Sequence, residues 1–450
     1  MDFSFKQTRF KIKNICNWNL ETHETVYPPR EDTYLMANAI LKMKKHQGLA
    51  LEIGCGSGAL SMLLATLGWK VIGYDVNPYA VSSARGNVKK YNLENSILIE
   101  EGGIGEKIDI SDEIDVIIWN LPYLNPVMEE ENKLEYIEDA AYLDLENGGW
   151  NKKLIETLEM CKISDKCLVM LLFRTLPESN STPGLWKEKG WSGRKITEEI
   201  IGDEKLEVHA FWKPGENSIP IIIDECESTM DEVQKKNDKK WTRIMARSQT
   251  KGRGRRNTNW QSSDGDMLAT WKIPKSILEE ISPGILQITA GSSIANVLKI
   301  GLKWPNDLLS NDFRKMGGII IESDSEDSAL RVGVGINRRE KNNEELFTSS
   351  GWNETLGELE NIDIYKRVDV ALSSNFEEHY LLPNISSDEM RDLSWKALSQ
   401  IFSRGVSIKY KKNNSRIIGI SEDGELEILN IHDIMNITDL EEIDWKFHTN

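Results

Sequence analysis

The chain has 450 residues and a formal net charge of −17, with 39% hydrophobic and 28% charged residues. This length exceeds one ordinary domain, the apolar content is too high for a disordered chain, and the acidic balance argues against a general nucleic-acid-binding surface. A polar amino terminus, no apolar run near the length of a membrane span and five scattered cysteines predict a soluble cytoplasmic protein, and no metal site is expected.

The first half alternates short β-rich runs (LALEI, WKVIGYD, IDVIIWN, KCLVMLLF) with helical stretches, which is typical of a mostly parallel α/β sheet. Pro214, Gly215 and Pro220 then interrupt the pattern and predict a domain boundary. From about Ser403 the chain contains short strands joined by Asn-Asn and Asp-Gly turns, which predict a small all-β appendage. We therefore expect domains at residues 1–213, 219–400 and 401–450.

The stretch LALEIGCGSGAL combines a strand, a glycine-rich turn and a helix. Gly54, Gly56 and Gly58 let the backbone approach a ligand, and the following helix offers free N–H groups. Asp75 ends the second strand, where a carboxylate can accept hydrogen bonds from ribose hydroxyls, and Glu52 adds another acid. These residues alone leave nucleotide-type binding and a purely structural turn equally open.

The stretch DVIIWNLPYL places Asn120, Pro122 and Tyr123 at the end of a strand. The asparagine side chain and a backbone carbonyl stiffened by Pro122 can both accept hydrogen bonds from a planar NH₂ group, while Tyr123 can stack on its face. This geometry would hold an amide or an exocyclic amine against a methyl donor, and positioning would supply most of the rate enhancement.

Residues from about 20 to 212 resemble the amino methyltransferases that use S-adenosylmethionine and carry an N-P-P-Y motif. The segment TVYPPREDTYLM is similar to the entry segment of archaeal and eukaryotic glutamine methyltransferases that act on translation release factors. The resemblance implies a Rossmann-like domain and two sets of site residues. The donor would be contacted by Thr33, Glu52, Gly54, Gly56, Asp75 and Glu101, and the acceptor amide by Asn120, Pro122 and Tyr123. Leu121 replaces the first proline of the motif, and EEGGIGEKI is a loose version of the adenine-side segment.

The second half contains the loop RSQTKGRGRRNTNW. Between Arg243 and Arg256 there are six basic side chains and no acidic one, and glycines separate the arginines. By charge alone, such a loop fits a nucleic acid, a solvated surface or one phosphate group, since each guanidinium offers a fork of donors. Further along, Lys303 in GLKWPNDLL suits a phosphate oxygen or a developing negative charge, and the strands RKMGGIIIES and VGVGIN permit close approach of an apolar ligand.

In this order, and together with ECESTMDEVQ, these motifs resemble biotin protein ligases over about residues 219–450. The resemblance implies a catalytic α+β domain, a small SH3-like β-barrel, and a reaction that joins biotin to ATP with Mg²⁺ and passes the acyl group to a lysine of a biotin carboxyl-carrier protein. The implied biotin and ATP contacts are Ser228, Thr229, Gln249, Arg253, Gly254, Arg255, Trp260, Lys303, Gly318 and Asn337. Arg255 and Lys303 would be catalytic, because they offset the repulsion between a carboxylate and a triphosphate. Met230 and Asn257 depart from the pattern, where asparagine and glycine are usual.

Both resemblances together predict a bifunctional enzyme that biotinylates a carrier lysine and N5-methylates a glutamine of a translation release factor. The alternative is a biotin ligase whose inactive methyltransferase fold serves as a regulatory or docking module. No membrane partner is expected, nucleic acid is not favoured, and a homodimer is one oligomeric state that the ligase resemblance implies.

Overall fold

The computed structural model divides the chain into two compact units. The N-terminal unit comprises residues 1–213 and 379–383, and the C-terminal unit comprises residues 214–378 and 384–450. The structure describes residues 5–124, 143–215, 218–236, 240–255, 258–274, 278, 280–323, 329–341, 349–430 and 433–447. The division after Lys213 falls where Pro214 and Gly215 interrupt the sequence pattern. The sequence did not predict that residues 379–383 belong to the N-terminal unit.

The strands of the N-terminal unit are β1 (Phe5–Ile12), β2 (Cys16–His23), β3 (Leu49–Ile53), β4 (Lys70–Asp75), β5 (Ile97–Glu101), β6 (Val116–Asn120), β7 (Leu168–Leu176), β8 (Ser192–Ile201) and β9 (Glu204–Trp212). Its helices are α1 (Glu31–Leu41), α2 (Ala59–Leu67), α3 (Pro78–Lys90), α4 (Gly149–Met160) and α5 (Gly184–Glu188).

Seven of these strands form one sheet in the order β5-β4-β3-β6-β7-β9-β8. The pairings from β5 to β7 are parallel, and those of β9 with β7 and β8 are antiparallel. The β3 strand is buried along most of its length, as expected for the centre of a sheet covered on both faces. Because the strand order reverses beside β3, the carboxyl ends of β3 and β6 border the crevice where ligands bind in open α/β sheets.

The segment His379–Pro383 contributes side chains to the core of the N-terminal unit. Leu381 and Leu382 are almost fully buried there, and the backbone N–H of Lys44 donates to the carbonyl of Leu381 at 2.9 Å. The Tyr380 hydroxyl donates to Asp115 Oδ1 at 3.0 Å. This short stretch is therefore an integral part of the N-terminal unit, although it is far away along the chain.

The strands of the C-terminal unit are β10 (Ile221–Cys226), β11 (Thr242–Gln249), β12 (Gly252–Arg253), β13 (Asn259–Trp260), β14 (Met267–Pro274), β15 (Gly301–Lys303), β16 (Asp307–Leu309), β17 (Lys315–Ser323), β18 (Ala329–Ile336), β19 (Val406–Tyr410), β20 (Asn413–Ile420), β21 (Leu426–Asn430), β22 (Asp433–Ile437) and β23 (Ile443–Phe447). Its helices are α6 (Thr229–Gln234), α7 (Pro283–Leu298), α8 (Trp352–Leu356), α9 (Asn361–Phe376) and α10 (Ser387–Ser403).

A seven-stranded mixed sheet in the order β10-β11-β14-β18-β17-β16-β15 forms the centre of the C-terminal unit. Among the described residues of this sheet, the β10–β11 pairing is parallel and the other pairings are antiparallel. The expected terminal β element is a five-stranded antiparallel sheet in the order β22-β21-β20-β19-β23, and its description as an SH3-like barrel stays a prediction. The chain is thus a mixed α/β protein, and among its described residues no helix combines the length and apolar character of a membrane span.

Candidate functional site

A cavity of about 680 Å³ lies at the carboxyl ends of β3, β4 and β6 in the N-terminal unit. Most of the residues expected for a methyl donor and its acceptor line this cavity: Thr33, Glu52, Gly54, Gly56, Asp75, Asn120, Pro122 and Tyr123. Glu101 does not line it, because it ends β5 with an exposed side chain, and residues 102–106 form the wall at that point. The cavity occupies the crevice that the strand order predicts.

The glycine turn after β3 is held by the carboxylate of Asp75. Gly54, Gly56 and Gly58 have φ values of 65°, 51° and 80°, a region that side chains other than glycine rarely adopt. Asp75 Oδ2 accepts from the backbone N–H of Gly56 at 2.8 Å, and Oδ1 accepts from that of Asn77 at 2.9 Å. Asp75 therefore shapes the turn as well as facing the cavity.

Glu52 is a buried acid in the wall of the cavity. Its carboxyl group is hydrogen-bonded to the Ser61 hydroxyl and lies near Asp75. Burial raises the pKa of Glu52 to about 8, although the hydrogen bond from Ser61 acts in the opposite direction. Burial also raises the pKa of Asp75. In the unliganded protein, Glu52 is thus protonated over most of the neutral range.

This burial predicts a pH-dependent stability of the N-terminal unit. Because the folded-state pKa of Glu52 is raised, folding takes up a proton, so its contribution is fully present below about pH 4.5 and is lost as the pH rises to about 8. A Glu52→Gln variant removes this loss. In urea titrations of the full chain, the difference in free energy of unfolding between variant and wild type should grow by at most about 1.4 kcal/mol per pH unit across this window. A difference that does not change with pH would contradict the assignment.

The acceptor end of the cavity contains a network around Asp32. Asn120 Nδ2 donates to Asp32 Oδ2 at 3.0 Å, and the Tyr27 hydroxyl donates to the same oxygen at 3.0 Å. Asn120 Oδ1 is buried and has no hydrogen-bond partner among the described residues. The Tyr123 ring lies beside the Arg174 guanidinium, 5.7 Å from its centroid, and Arg174 is paired with Glu204 at 2.9 Å. Sequence reasoning did not identify Tyr27 or Asp32, although both belong to the segment TVYPPREDTYLM that indicated the family.

A second cavity, of about 300 Å³, lies in the C-terminal unit. Eight of the residues expected around biotin and ATP line it: Ser228, Thr229, Gln249, Arg253, Gly254, Arg255, Trp260 and Gly318. Asn306, Asp307 and Lys315 also line it and were not expected. Lys303 and Asn337 were expected but do not belong to its wall.

Thr229 and Gln249 form a hydrogen-bonded pair at one end of this second cavity. Gln249 Oε1 accepts from the backbone N–H of Thr229 at 2.7 Å and from its hydroxyl at 3.1 Å. The Thr270 hydroxyl donates to that of Thr229 at 2.8 Å. Ser228 is the N-cap residue of α6, and its hydroxyl accepts from the backbone N–H of Met230 at 3.3 Å. The pairing fixes the Gln249 amide, because its oxygen must face the donors on Thr229.

The Trp260 indole packs against glycine backbone. A Cβ atom on Gly335 would lie 2.7 Å from Trp260 Cε2, so only glycine fits beside the ring. Trp260 Nε1 is buried without a hydrogen-bond partner among the described residues, and the Lys341 ammonium lies 5.5 Å from the ring centroid. The glycines of β18 therefore let the Trp260 indole pack against the sheet, and the close approach of an apolar ligand to these strands stays a prediction.

The arginine loop is folded against acidic and amide side chains. Arg253 is bonded to Asp231 through Nη2 and to Glu322 through Nη1, the latter at 2.9 Å. Arg255 Nη1 lies 3.5 Å from Asn306 Oδ1. Arg256 and Asn257, the latter at a position where glycine is usual, lie outside the described residues.

Two lysines lie at or near this cavity. Lys315 Nζ is 2.7 Å from Asp307 Oδ1, and both residues belong to the wall. Burial lowers the pKa of Lys303, an effect that Asp307 partly offsets. Asn337 is buried, and its Nδ2 donates to the carbonyl of Ser350 at 3.3 Å, while its Oδ1 has no partner among the described residues.

Comparisons with known proteins divide the chain in the same way. Residues 31–133 match the family model described as ribosomal protein L11 methyltransferase (PrmA), and residues 223–337 match that of the biotin/lipoate A/B protein ligase family. A putative protein N5-glutamine methyltransferase of Methanocaldococcus jannaschii is 37% identical over 122 residues, which is 27% of this chain and 58% of that protein. A release factor glutamine methyltransferase of Buchnera aphidicola is 28% identical over 119 residues, which is 25% of this chain and 42% of that protein.

Among solved structures, the biotin protein ligase from Aquifex aeolicus in complex with biotin and ATP is similar at 23% identity and a TM-score of 0.40. The similarity covers 52% of this chain and 99% of that one. The chain spans about half the length of the two curated methyltransferase relatives. The two family models thus match two separate parts of the chain, one in each compact unit.

Proposed function

We propose that this protein is bifunctional. Its N-terminal unit transfers a methyl group from S-adenosylmethionine to the side-chain amide nitrogen of a protein glutamine, and its C-terminal unit biotinylates a carrier-protein lysine through biotinyl-5′-AMP. The observation that carries the first activity is Asn120, which lines the larger cavity and whose Oδ1 is a buried hydrogen-bond acceptor without a partner among the described residues. A buried acceptor of this kind is costly unless a ligand donates to it.

The N–H of an amide satisfies this acceptor. With one N–H held by Asn120 Oδ1 and the other by a backbone carbonyl stiffened by Pro122, the amide plane is fixed against Tyr123. The nitrogen then faces the donor end of the cavity, where Asp75 and the glycine turn lie. Holding the reacting atoms in this geometry would supply most of the rate enhancement. As the C–N bond forms, the bond between the methyl carbon and the sulfonium sulfur would break, S-adenosylhomocysteine would leave, and the amide nitrogen would release one proton to water.

The residues of the donor end fit S-adenosylmethionine. This cofactor supplies an electrophilic methyl group on a sulfonium sulfur. Asp75 presents a carboxylate suited to ribose hydroxyls, and the turn from Gly54 to Gly58 gives close access to backbone. Glu52 lies at the same end, where a positively charged group on the donor would favour its ionised form.

We propose a translation release factor as the methyl acceptor, with support from the similarity to a release factor glutamine methyltransferase. The test is mass spectrometry of purified release factors after incubation with the full chain and S-adenosylmethionine. One added methyl on a glutamine is the expected result. Donor binding by calorimetry without transfer to any release factor would instead favour a regulatory or docking module, and absence of donor binding would exclude both.

Biotin ligation is the second activity, and the smaller cavity supports it. Its wall combines the fixed amide of Gln249, the Trp260 indole against the glycines of β18, and the cations Arg255 and Lys315. An apolar slot with a few directed polar groups suits biotin, and cations near it suit the phosphates of Mg²⁺-bound ATP. Attack of the biotin carboxylate on the α-phosphorus forms the adenylate and releases pyrophosphate. A carrier lysine then displaces AMP.

Arg255 provides the test of the ligase site. We expect an Arg255→Ala variant to release its adenylate, so that nearby lysines of bystander proteins become biotinylated. Streptavidin blots of reactions with an added non-carrier protein measure this labelling. If labelling stays confined to the carrier protein at the wild-type rate, Arg255 does not retain the adenylate.

Gly335 provides a prediction about cavity shape. A Gly335→Ala variant forces the Trp260 ring to move, because the new methyl group would lie within 3 Å of three indole atoms. Biotin affinity measured by calorimetry should therefore weaken by roughly tenfold, which corresponds to about 1.4 kcal/mol. The matched control is Gly419→Ala, at a strand glycine outside the cavity wall, whose methyl group would meet the flexible end of the Glu427 side chain. Equal effects of the two variants would contradict this role for the indole.

A further inference from the structure

We propose that Asp32 is a positioning residue that holds the Asn120 amide in one orientation, with its oxygen toward the acceptor. In this orientation the site favours a methyl-acceptor group that can donate a hydrogen bond, such as the NH₂ group of glutamine. The proposal deepens the proposed methylation and rests on it for its kinetic test, but the orientation itself can be measured without any methyl transfer.

Asp32 is almost fully buried and accepts hydrogen bonds at both carboxylate oxygens. Its Oδ1 accepts from the backbone N–H of Thr33 at 2.6 Å and from the Thr33 hydroxyl at 3.2 Å. Its Oδ2 accepts from the Tyr27 hydroxyl and from Asn120 Nδ2, each at 3.0 Å. These bonds, made by donors from two residues on one oxygen and one residue on the other, hold both ends of the carboxylate in place.

A carboxylate fixes the orientation of a neighbouring amide because it only accepts hydrogen bonds. The two ends of an asparagine amide have nearly the same shape, so packing alone does not choose between them. If Asn120 turned over, its oxygen would face Asp32 Oδ2, and two acceptors would be in contact. The Asn120 NH₂ group would then face the NH₂ group of the substrate glutamine, and two hydrogen-bond donors would be in contact.

The orientation therefore determines which acceptor the cavity takes. A glutamine presents NH₂ to Asn120 Oδ1 and satisfies it. An ionised glutamate of the same shape has only acceptor oxygens and would leave the Asn120 oxygen facing another oxygen. We expect the wild-type protein to bind a release factor with glutamine at the methylated position much more tightly than its Gln→Glu variant.

An Asp32→Asn variant tests this role. The asparagine can donate as well as accept, so Asn120 is free to turn over. We expect kcat for methyl transfer to fall by about a hundredfold, the loss typical of a misplaced reacting group. The affinity for S-adenosylmethionine should stay within a few-fold, and the preference for glutamine over glutamate in acceptor binding should largely disappear. The control is Glu31→Gln, which removes the same charge from the adjacent exposed residue at the start of the same helix.

Nuclear magnetic resonance of the full chain measures the orientation directly. The side-chain NH₂ signals of Asn120 are identified by their loss in Asn120→Ala. In the wild-type protein we expect two separate, slowly exchanging protons, one shifted by its bond to Asp32, and in Asp32→Asn we expect this shift to vanish. If the two wild-type protons exchange rapidly with solvent, the proposal is wrong.

The outcomes separate the orientation from the activity. A fixed Asn120 in a protein that methylates no glutamine would refute the proposed activity while leaving the role of Asp32 intact. Methylation by the wild type with unchanged kcat and glutamine preference in Asp32→Asn would refute the role of Asp32 while leaving the activity intact.

Discussion

Replacement of Asn120 by alanine is expected to lower kcat for methyl transfer by about a hundredfold to a thousandfold, the range seen when one preorganised polar group is removed from an active site. The side chain ends β6 and carries the buried acceptor oxygen of the cavity. Its loss leaves the acceptor amide with one fewer contact and frees Asp32 Oδ2 from one of its two donors. Donor affinity should change little, because Asp75 and the glycine turn remain. Radiolabelled methyl transfer and calorimetry with S-adenosylmethionine measure the two quantities.

The matched control for this prediction is Asn95→Ala. Asn95 is exposed in the same unit and does not line the cavity, so methyl transfer should stay at the wild-type rate. If Asn120→Ala loses donor affinity in parallel with kcat, the side chain serves the fold of the cavity rather than the acceptor. Retention of full activity would assign the acceptor amide to other groups.

The second large effect is expected for Lys303. A Lys303→Ala variant should form the biotinyl adenylate at least about a hundredfold more slowly, because a preorganised cation in a partly buried site offsets charge that develops on the phosphate. Burial lowers the pKa of Lys303, and the nearby acid Asp307 partly offsets this effect by favouring the charged ammonium form. Biotin-dependent release of pyrophosphate measures this step separately from transfer to the carrier protein.

Lys315 makes this test decisive. It lines the cavity and pairs with Asp307, whereas Lys303 lies outside the wall. Loss of pyrophosphate release in Lys315→Ala with a normal rate in Lys303→Ala would transfer the proposed role to Lys315. The exposed Lys366 provides the charge-matched control, and its alanine variant should react at the wild-type rate.

The sequence predicts much of both sites because its motifs follow the ends of strands. In a parallel sheet, the carboxyl ends of neighbouring strands lie at one edge, so Gly54, Asp75 and Asn120 had to meet there once their strands were identified. The glycines and polar residues of the C-terminal unit were likewise predicted from the order of their motifs. The sequence by itself therefore predicted two regions with a break near Lys213, and eight of the residues that line each cavity.

Only the tertiary structure decided how these residues act on one another. Asp32 and Asn120 are 88 positions apart, and no local pattern indicates that one fixes the amide of the other. The raised pKa of Glu52 follows from burial by the surrounding elements, which composition and spacing do not reveal. The same is true of Lys315 at the smaller cavity and of the short segment around Leu381 in the N-terminal unit. Motifs are local in sequence, whereas desolvation and hydrogen-bond partnership depend on groups that folding brings together from distant positions.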